Sequence, residues 1–140
     1  MRRRFAKPRP VRLSDGTVIV VRSGLEAEVA LHLDGHGVPV RYEKEKLWYE
    51  KPAKRSSYLT DFILPSGVIV ECKGLFTAAD RAKHLLLKAQ HPKREVRFVF
   101  SRSKTPIRTG SATTYGDWCR KHGFLFADES IPRSWLKEKP

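Results

Sequence analysis

A short apolar hairpin between residues 61 and 73 constrains the fold of this chain more than any other feature. Two apolar runs, residues 62–64 and 68–70, flank Pro65-Ser66-Gly67, which has the composition of a three-residue hairpin loop. Proline is favoured in a type I turn, and glycine accepts the left-handed conformation that follows it. This loop fixes the register of the two strands. The expected pairs are Leu64 with Val68, Ile63 with Ile69, Phe62 with Val70, and Asp61 with Glu71.

Charged residues interrupt this hairpin at its open end. Side chains alternate along a strand, so Asp61, Glu71 and Lys73 are expected to share one face. Opposed carboxylates have β-carbons about 5 Å apart, and like charges placed in this way destabilise a sheet. A hard cation such as Mg²⁺ binds carboxylate oxygens and would offset the repulsion, with Lys73 near an attacking water or a phosphoryl oxygen. The competing interpretation is a strand end whose Glu71 and Lys73 point to solvent.

The charge of the chain indicates a polyanionic partner. Its 140 residues carry a formal net charge of +13, and surplus Lys and Arg gain free energy from counterion release on a phosphate backbone. The length suits a single domain. We find no membrane-spanning apolar run, no signal peptide and no Gly-rich phosphate loop, so neither a membrane nor a nucleotide cofactor is expected. Cys72 and Cys119 have no paired spacing, which favours a reducing cytoplasm over a disulfide framework.

Basic segments are the candidate contacts for such a polyanion. Residues 1–12 contain no acid and are predicted to form a flexible arm that binds phosphate, ahead of one domain over residues 13–140. The cations of the arm are Arg2, Arg3, Arg4, Lys7, Arg9 and Arg12. The alternative is a solvated tail without a ligand. The connection between Tyr49 and Asp61 is also basic and carries Lys54 and Arg55; its length fits a loop, an exposed ribbon or a bridge between subunits.

Hydrophobic periodicity predicts further strands and helices around the hairpin. A capping box at Ser23–Glu26 begins a helix that ends near Gly35. Glu26 lies in its first turn, where its carboxylate either caps the helix on the Ser23 backbone or binds metal. Further helices are predicted from Thr77 to His91, from Thr114 to Gly123 and, as one turn, over residues 132–136. Strands are predicted at residues 13–21 (a hairpin about Asp15-Gly16), 38–42, 47–49, 94–101 and 124–127.

The same periodicity defines an expected core. The helix after Thr77 is predicted to bury a stripe of Ala78, Ala82, Leu85, Leu86 and Ala89. In the strand after that helix, Val96, Phe98 and Phe100 share a face, and Trp118 and Trp135 are expected to pack in the core. The five histidines are scattered, and we expect them at the surface or its boundary and not as metal ligands.

Taken together, these residues resemble the phage endonuclease I family of Holliday-junction-resolving nucleases. One part of the chain resembles the D-x(n)-[DE]-x-K signature of restriction-endonuclease-like nucleases. Nine residues separate Asp61 from Glu71, and one residue separates Glu71 from Lys73. The pieces that resemble the family itself are Arg22-Ser23-Gly24-Leu25-Glu26, Asp61-Phe62, Leu64-Pro65, Gly67, Val70-Glu71, Lys73-Gly74-Leu75, Lys83-His84-Leu85-Leu86, Gln90-His91-Pro92, Tyr115-Gly116 and Lys121-His122-Gly123. Thr60 departs from the superfamily pattern, which often has proline before the aspartate.

The resemblance implies an active site made of Glu26, Asp61, Glu71 and Lys73. It implies that the three carboxylates bind two Mg²⁺ ions, or Mn²⁺ in their place, with the backbone carbonyl of Cys72, and that Lys73 is the catalytic lysine. It also implies an α/β, restriction-endonuclease-like fold, with a mixed central β-sheet flanked by helices, in an intertwined, domain-swapped homodimer. The bridge would fall near residues 44–57, and each site would combine Glu26 of one chain with the other three residues of its partner.

The function implied by the resemblance is metal-dependent phosphodiester hydrolysis that resolves four-way and other branched DNA junctions. Two alternatives stay open at this point. One is a nicking nuclease of the same fold that acts on linear or mismatched duplex, and the other is a basic DNA-binding protein without catalysis.

Overall fold

Over the residues that the structure describes, the chain folds into a mixed α/β structure with four helices. This computed structural model describes residues 7–51 and 54–140. In chain order the elements are β1 (Arg9–Arg12), β2 (Val18–Val21), α1 (Gly24–Gly35), β3 (Lys46–Lys51), β4 (Lys54–Leu59), β5 (Phe62–Ile63), β6 (Ile69–Lys73), α2 (Ala78–Gln90), β7 (Val96–Phe100), α3 (Tyr115–His122), β8 (Phe126–Asp128) and α4 (Arg133–Leu136). No helix in the two described ranges is long and apolar enough to cross a membrane.

The predicted hairpin forms the start of a four-stranded sheet with the order β5-β6-β7-β8. Phe62 pairs with Val70 and Ile63 with Ile69, which confirms the register expected from the loop. Gly67 has a φ of 91° and closes the turn in the left-handed region, as its place in the loop predicted. The β5 and β6 strands are antiparallel, whereas β6, β7 and β8 are mutually parallel. The sheet is therefore mixed, and α2 supplies the connection that parallel β6 and β7 require.

Apolar clusters cover both faces of this sheet. On one face the sheet packs against α1, the β1–β2 hairpin and α4; the buried members include Val29, Leu33, Phe62, Val70 and Trp135. On the other face it packs against α2, α3 and the β3–β4 ribbon; the buried members include Ile63, Ile69, Leu87, Phe98 and Trp118. Burying each large apolar side chain stabilises the fold by about 1.5–3 kcal/mol. The predicted α/β arrangement, a mixed sheet with helices on both faces, is confirmed at this level.

The predicted helix ends are also confirmed. The Ser23 hydroxyl accepts a hydrogen bond from the N–H of Glu26 at the start of α1. Complete capping boxes begin α2 and α3, where Thr77 pairs with Asp80 and Thr114 with Asp117. Gly123 ends α3 in the left-handed conformation, with a φ of 76°.

The predicted flexible arm and the first hairpin need correction. Arg9–Arg12 forms β1, which pairs antiparallel with β2, so the arm prediction is wrong for these four residues. The hairpin begins at Arg9 instead of Leu13 because Val11 is buried against the α1 side of the core. Because the segment is rich in basic residues, the sequence did not indicate that Val11 packs inward and makes the segment a strand. Arg2, Arg3 and Arg4 lie outside the described residues.

The segment between α1 and the central sheet differs from the prediction in one part. Residues 38–42 are not a strand: Val38 and Val40 rest half-buried on the α1 core, and only Tyr42 forms an isolated bridge, to Phe62. The strand predicted at residues 47–49 is confirmed as part of β3. It pairs with β4 in a two-stranded ribbon that makes a sheet of its own.

Helix α2 buries a different face from the one predicted. The predicted stripe is wrong: Ala78, Ala82, Leu85 and Ala89 are exposed, and only Leu86 is half-buried. The fully buried residues are His84 and Leu87. Alanine buries little apolar area, so the larger side chains of His84 and Leu87 decide which face of the helix packs against the sheet.

His84 is the one histidine in the described residues that is fully buried, which contradicts the expected surface position. Its ring packs edge-on against Tyr58 and Phe98, with centroid distances of 5.2 and 4.8 Å. Neither ring nitrogen has a hydrogen-bond partner among the described residues. Burial lowers the pKa of His84 to about 3, so the ring is neutral and behaves as an aromatic core residue.

Candidate active site

The four predicted site residues line one open polar cleft, together with Cys72. Glu26 comes from the first turn of α1, Asp61 immediately precedes β5, and Glu71 and Lys73 lie at the end of β6. The hairpin register brings Asp61 beside β6, and the packing of α1 on the same sheet brings Glu26 to its edge. A single chain therefore places all four side chains at one site.

Asp61 and Glu71 are both buried carboxylates, with 8% and 4% of their surface exposed. Asp61 accepts a hydrogen bond from the N–H of Cys72 at 2.8 Å. Burial raises the pKa of Asp61 well above its usual value, and the nearby Glu71 carboxylate raises it further. Burial also raises the pKa of Glu71, although Lys73 and the Tyr58 hydroxyl act in the opposite direction. Burial therefore disfavours the ionised forms of both groups, and a bound cation would stabilise those charged forms.

Lys73 lies between two carboxylates. Its ammonium group is 3.3 Å from Glu71 Oε1 and 3.4 Å from Asp80 Oδ1. Burial lowers the pKa of Lys73, but the charges of Glu71 and Asp80 outweigh it, and the net pKa lies above the ordinary value. Asp80 also caps α2 through Thr77, so the helix start holds the lysine in place. The sequence predicted Asp80 only as a helix cap, and it missed Lys83, which also lines the cleft.

Glu26 is buried and held by two donors. Its Oε1 accepts from the N–H of Arg22 at 2.8 Å and from the Tyr42 hydroxyl at 2.9 Å. The capping alternative, in which this carboxylate bonds the Ser23 backbone, is therefore wrong. A second tyrosine acts in the same way, because the buried Tyr58 hydroxyl donates to Glu71 Oε2. Both tyrosines were missed, since each is brought to its carboxylate by tertiary packing and by no local motif.

The donor set fits Mg²⁺ or Mn²⁺ better than a softer metal. Among the described residues no group of three His, Cys, Asp or Glu side chains is arranged to hold a metal ion by itself. Mg²⁺ does not need such a cage, because it usually takes one or two carboxylates and fills its remaining positions with water and substrate phosphate. Asp61 and Glu71 are such a pair. With no histidine lining the cleft, its side chains do not make a typical zinc site.

The predicted DNA contacts in the described ranges are exposed. Lys7, Arg9 and Arg12 lie on the surface, and the Arg9 guanidinium lies close to Gly24 at the start of α1. Lys54 and Arg55 are both exposed at the start of β4. These five cations lie at the surface, where a polyanion can reach them, and Arg55 also lies 3.7 Å from the Glu50 carboxylate.

Comparison with known proteins gives a consistent assignment. The family model for phage endonuclease I matches residues 11–140. The chain is 49% identical over 117 residues to "Endonuclease I" of Escherichia phage T7, a match that covers 84% of this chain and 78% of the relative. It is 46% identical to "Endodeoxyribonuclease 1" of Enterobacteria phage T3, covering 84% of this chain and 77% of that protein. The chain therefore belongs to the phage endonuclease I family.

Proposed function

We propose that this protein is a metal-dependent endonuclease that cuts DNA and resolves four-way and other branched junctions. The observation that carries the proposal is the pair of buried, crowded carboxylates, Asp61 and Glu71, with Lys73 beside them in one cleft. The chain around this cleft has a formal net charge of +13, which suits a nucleic-acid substrate. The names of its relatives, an endonuclease and an endodeoxyribonuclease, support the same class of reaction.

The chemistry assigns separate tasks to the residues of the cleft. Asp61, Glu71, the backbone carbonyl of Cys72 and Glu26 would hold two Mg²⁺ ions, for which Mn²⁺ would substitute. Such ions activate a water and stabilise the charge that develops on phosphate and leaving oxygen. Lys73, kept as an ammonium by Glu71 and Asp80, would orient the nucleophile or donate to a phosphoryl oxygen. The products would carry a 5′-phosphate.

We further propose a restriction-endonuclease-like fold in an intertwined homodimer. The β3–β4 ribbon lies in sequence between Glu26 and Asp61, and it forms a sheet separate from the central one. If β3 and β4 separated, the segment from β4 onward could pack onto a second copy of the chain. The same side-chain contacts would then form between chains, which is how domain swapping produces dimers at little cost. Two linked sites would suit paired cuts across a junction.

Cleavage of a four-way junction, compared with cleavage of its separate duplex arms, tests the proposal. In Mg²⁺ we expect the junction to be cut faster than the arms, because backbone contacts on two sites select branch geometry and not sequence. Single-turnover rates at saturating protein give the comparison, with EDTA as the control for metal dependence. Equal rates on junction and arms would favour the nicking nuclease, and binding without any cleavage would favour the DNA-binding protein.

A further inference from the structure

The loop after β7, residues 101–113, is a candidate interaction surface that neither the sequence motifs nor the active site accounts for. We propose that it is a DNA-backbone contact in which Arg102, Lys104 and Arg108 bind phosphates next to the cleavage site. The proposal rests on the proposed function for its partner, double-stranded DNA. It extends that function by assigning the residues that hold the duplex beside the cleft.

The loop begins at the edge of the active site. In the parallel β6–β7 ladder, Phe100 is paired with Lys73, and the next N–H, that of Ser101, donates to the Lys73 carbonyl at 3.2 Å. The Ser101 hydroxyl also lies 3.8 Å from the place that a β-carbon on Gly74 would occupy. DNA that presents a phosphate to Lys73 would therefore run close to this loop.

The loop is held in one conformation despite its length. Loops this long without secondary structure are uncommon and are usually functional or disordered. Here backbone hydrogen bonds close it internally, from Ile107 N–H to the Thr113 carbonyl at 2.9 Å, and tie it to the start of α3, from Gly116 N–H to the Ser103 carbonyl at 2.9 Å. The Arg81 guanidinium of α2 donates to the Ile107 carbonyl at 3.4 Å. A fixed loop loses little conformational entropy when it binds a ligand.

The geometry of Ser103 directs its two neighbours outward. Its N–H and its hydroxyl both donate to the carboxylate of Asp128 in β8, at 2.9 and 3.0 Å. Arg102 and Lys104, on either side of it in sequence, are exposed, as is Arg108 further along the loop. The loop therefore presents three cations to solvent from an anchored backbone.

The three cations lack neutralising partners of the kind that Arg94 and Arg97 have. Arg94 pairs with Glu45, and Arg97 pairs with Glu95 and Glu138. By contrast, no carboxylate in the described ranges lies within 4.0 Å of Arg102, Lys104 or Arg108. No acid occurs anywhere from residue 96 to residue 116. Concentrated, unpaired positive charge on a fixed surface is the pattern that binds a phosphate backbone and releases counterions.

The test replaces the three cations together, in a variant with Arg102→Gln, Lys104→Gln and Arg108→Gln. Binding of a labelled four-way junction is measured by fluorescence anisotropy in EDTA over a range of KCl concentrations. We expect about tenfold or greater weakening at 0.1 M KCl, and a salt slope that is shallower by roughly 2–3 for each loop on the DNA. The single-turnover cleavage rate at saturating protein is measured in parallel, because it reports hydrolysis separately from binding.

A matched control removes the same charge at the other end of the sheet, with Arg133→Gln, Lys137→Gln and Lys139→Gln. Lys137 and Lys139 flank Glu138, which pairs with Arg97 at the start of β7, away from Ser101 at its end. Arg133 is exposed at the start of α4, the short helix that precedes them. We expect its salt slope to match the wild-type slope. Equal slopes for the two triple variants would overturn the proposal, as would a loss of cleavage with binding unchanged.

Two further outcomes keep the test clear. If the triple variant unfolds, the three single replacements are measured instead. Each should make the salt slope of junction binding shallower by about 0.9 for every phosphate contact that it removes. An unchanged slope in all three single variants would overturn the proposal. If the wild type binds junctions but cuts nothing in Mg²⁺ or Mn²⁺, the endonuclease proposal fails. The slopes then still decide whether the loop binds DNA.

Discussion

Replacing Glu71 by glutamine or Lys73 by alanine abolishes cleavage while junction binding stays close to that of the wild type. Glu71→Gln removes a charge that would bind metal, and Lys73→Ala removes the ammonium that lies 3.3 Å from it. Losing one preorganised electrostatic group costs about 10²–10³-fold in rate, and we expect at least this loss for each variant. Single-turnover cleavage measures the rate, and anisotropy in EDTA measures binding.

A carboxylate outside the cleft provides the matched control for these variants. Glu28 is exposed on α1, two residues from Glu26, and Glu28→Gln removes the same charge in the same chemical way. Its cleavage rate should equal that of the wild type. If cleavage survives both Glu71→Gln and Lys73→Ala, these two residues are not catalytic. The active site would then lie elsewhere in the protein.

Mixing two inactive chains restores cleavage if the dimer is intertwined as we propose. The chains are Glu26→Ala and Asp61→Ala, each expected to be inactive alone. In a swapped heterodimer one site receives both defects and the other receives none, because Glu26 of one chain meets Asp61 of its partner. With random pairing, half of the dimers are mixed, so about a quarter of the wild-type sites are intact.

The chains must be co-expressed, since exchange between stable dimers is slow on the scale of an assay. Separately tagged chains and tandem purification isolate the mixed dimer, whose activity should be about half that of the wild type. Sedimentation gives its mass. A pure mixed dimer without activity would show that each chain completes its own site, since the four side chains of a single chain already line one cleft.

The sequence was informative where local chemistry decides the structure. The 65–67 loop has residues suited to one turn type, so the pairing of Phe62 with Val70 could be predicted before any tertiary contact was known. The helix starts at Ser23, Thr77 and Thr114 were equally clear, because a hydroxyl that accepts a backbone N–H is a short-range signal.

Tertiary packing decided the features that the sequence did not predict. The buried stripe predicted for α2 was wrong because alanine and leucine are apolar and were therefore expected inside. In the structure His84 takes the buried position instead, because its ring packs in the aromatic cluster of Phe76 and Phe98. At the site, Tyr42 and Tyr58 reach Glu26 and Glu71 across 16 and 13 residues of chain, with no motif that links them. Periodicity cannot identify partners of this kind, because it reports only which side of an element is apolar.

The most direct test of the account is a calorimetric titration with Mn²⁺, because the proposed hydrolysis requires a cation between the crowded carboxylates. Wild-type protein should bind Mn²⁺, and its melting temperature should rise with the metal, since a ligand that binds only the folded state stabilises it. Asp61→Asn should lose this binding and melt at a higher temperature than the metal-free wild type, because burial disfavours the charge it removes. No binding by the wild type, or equal binding by the two proteins, would contradict the account.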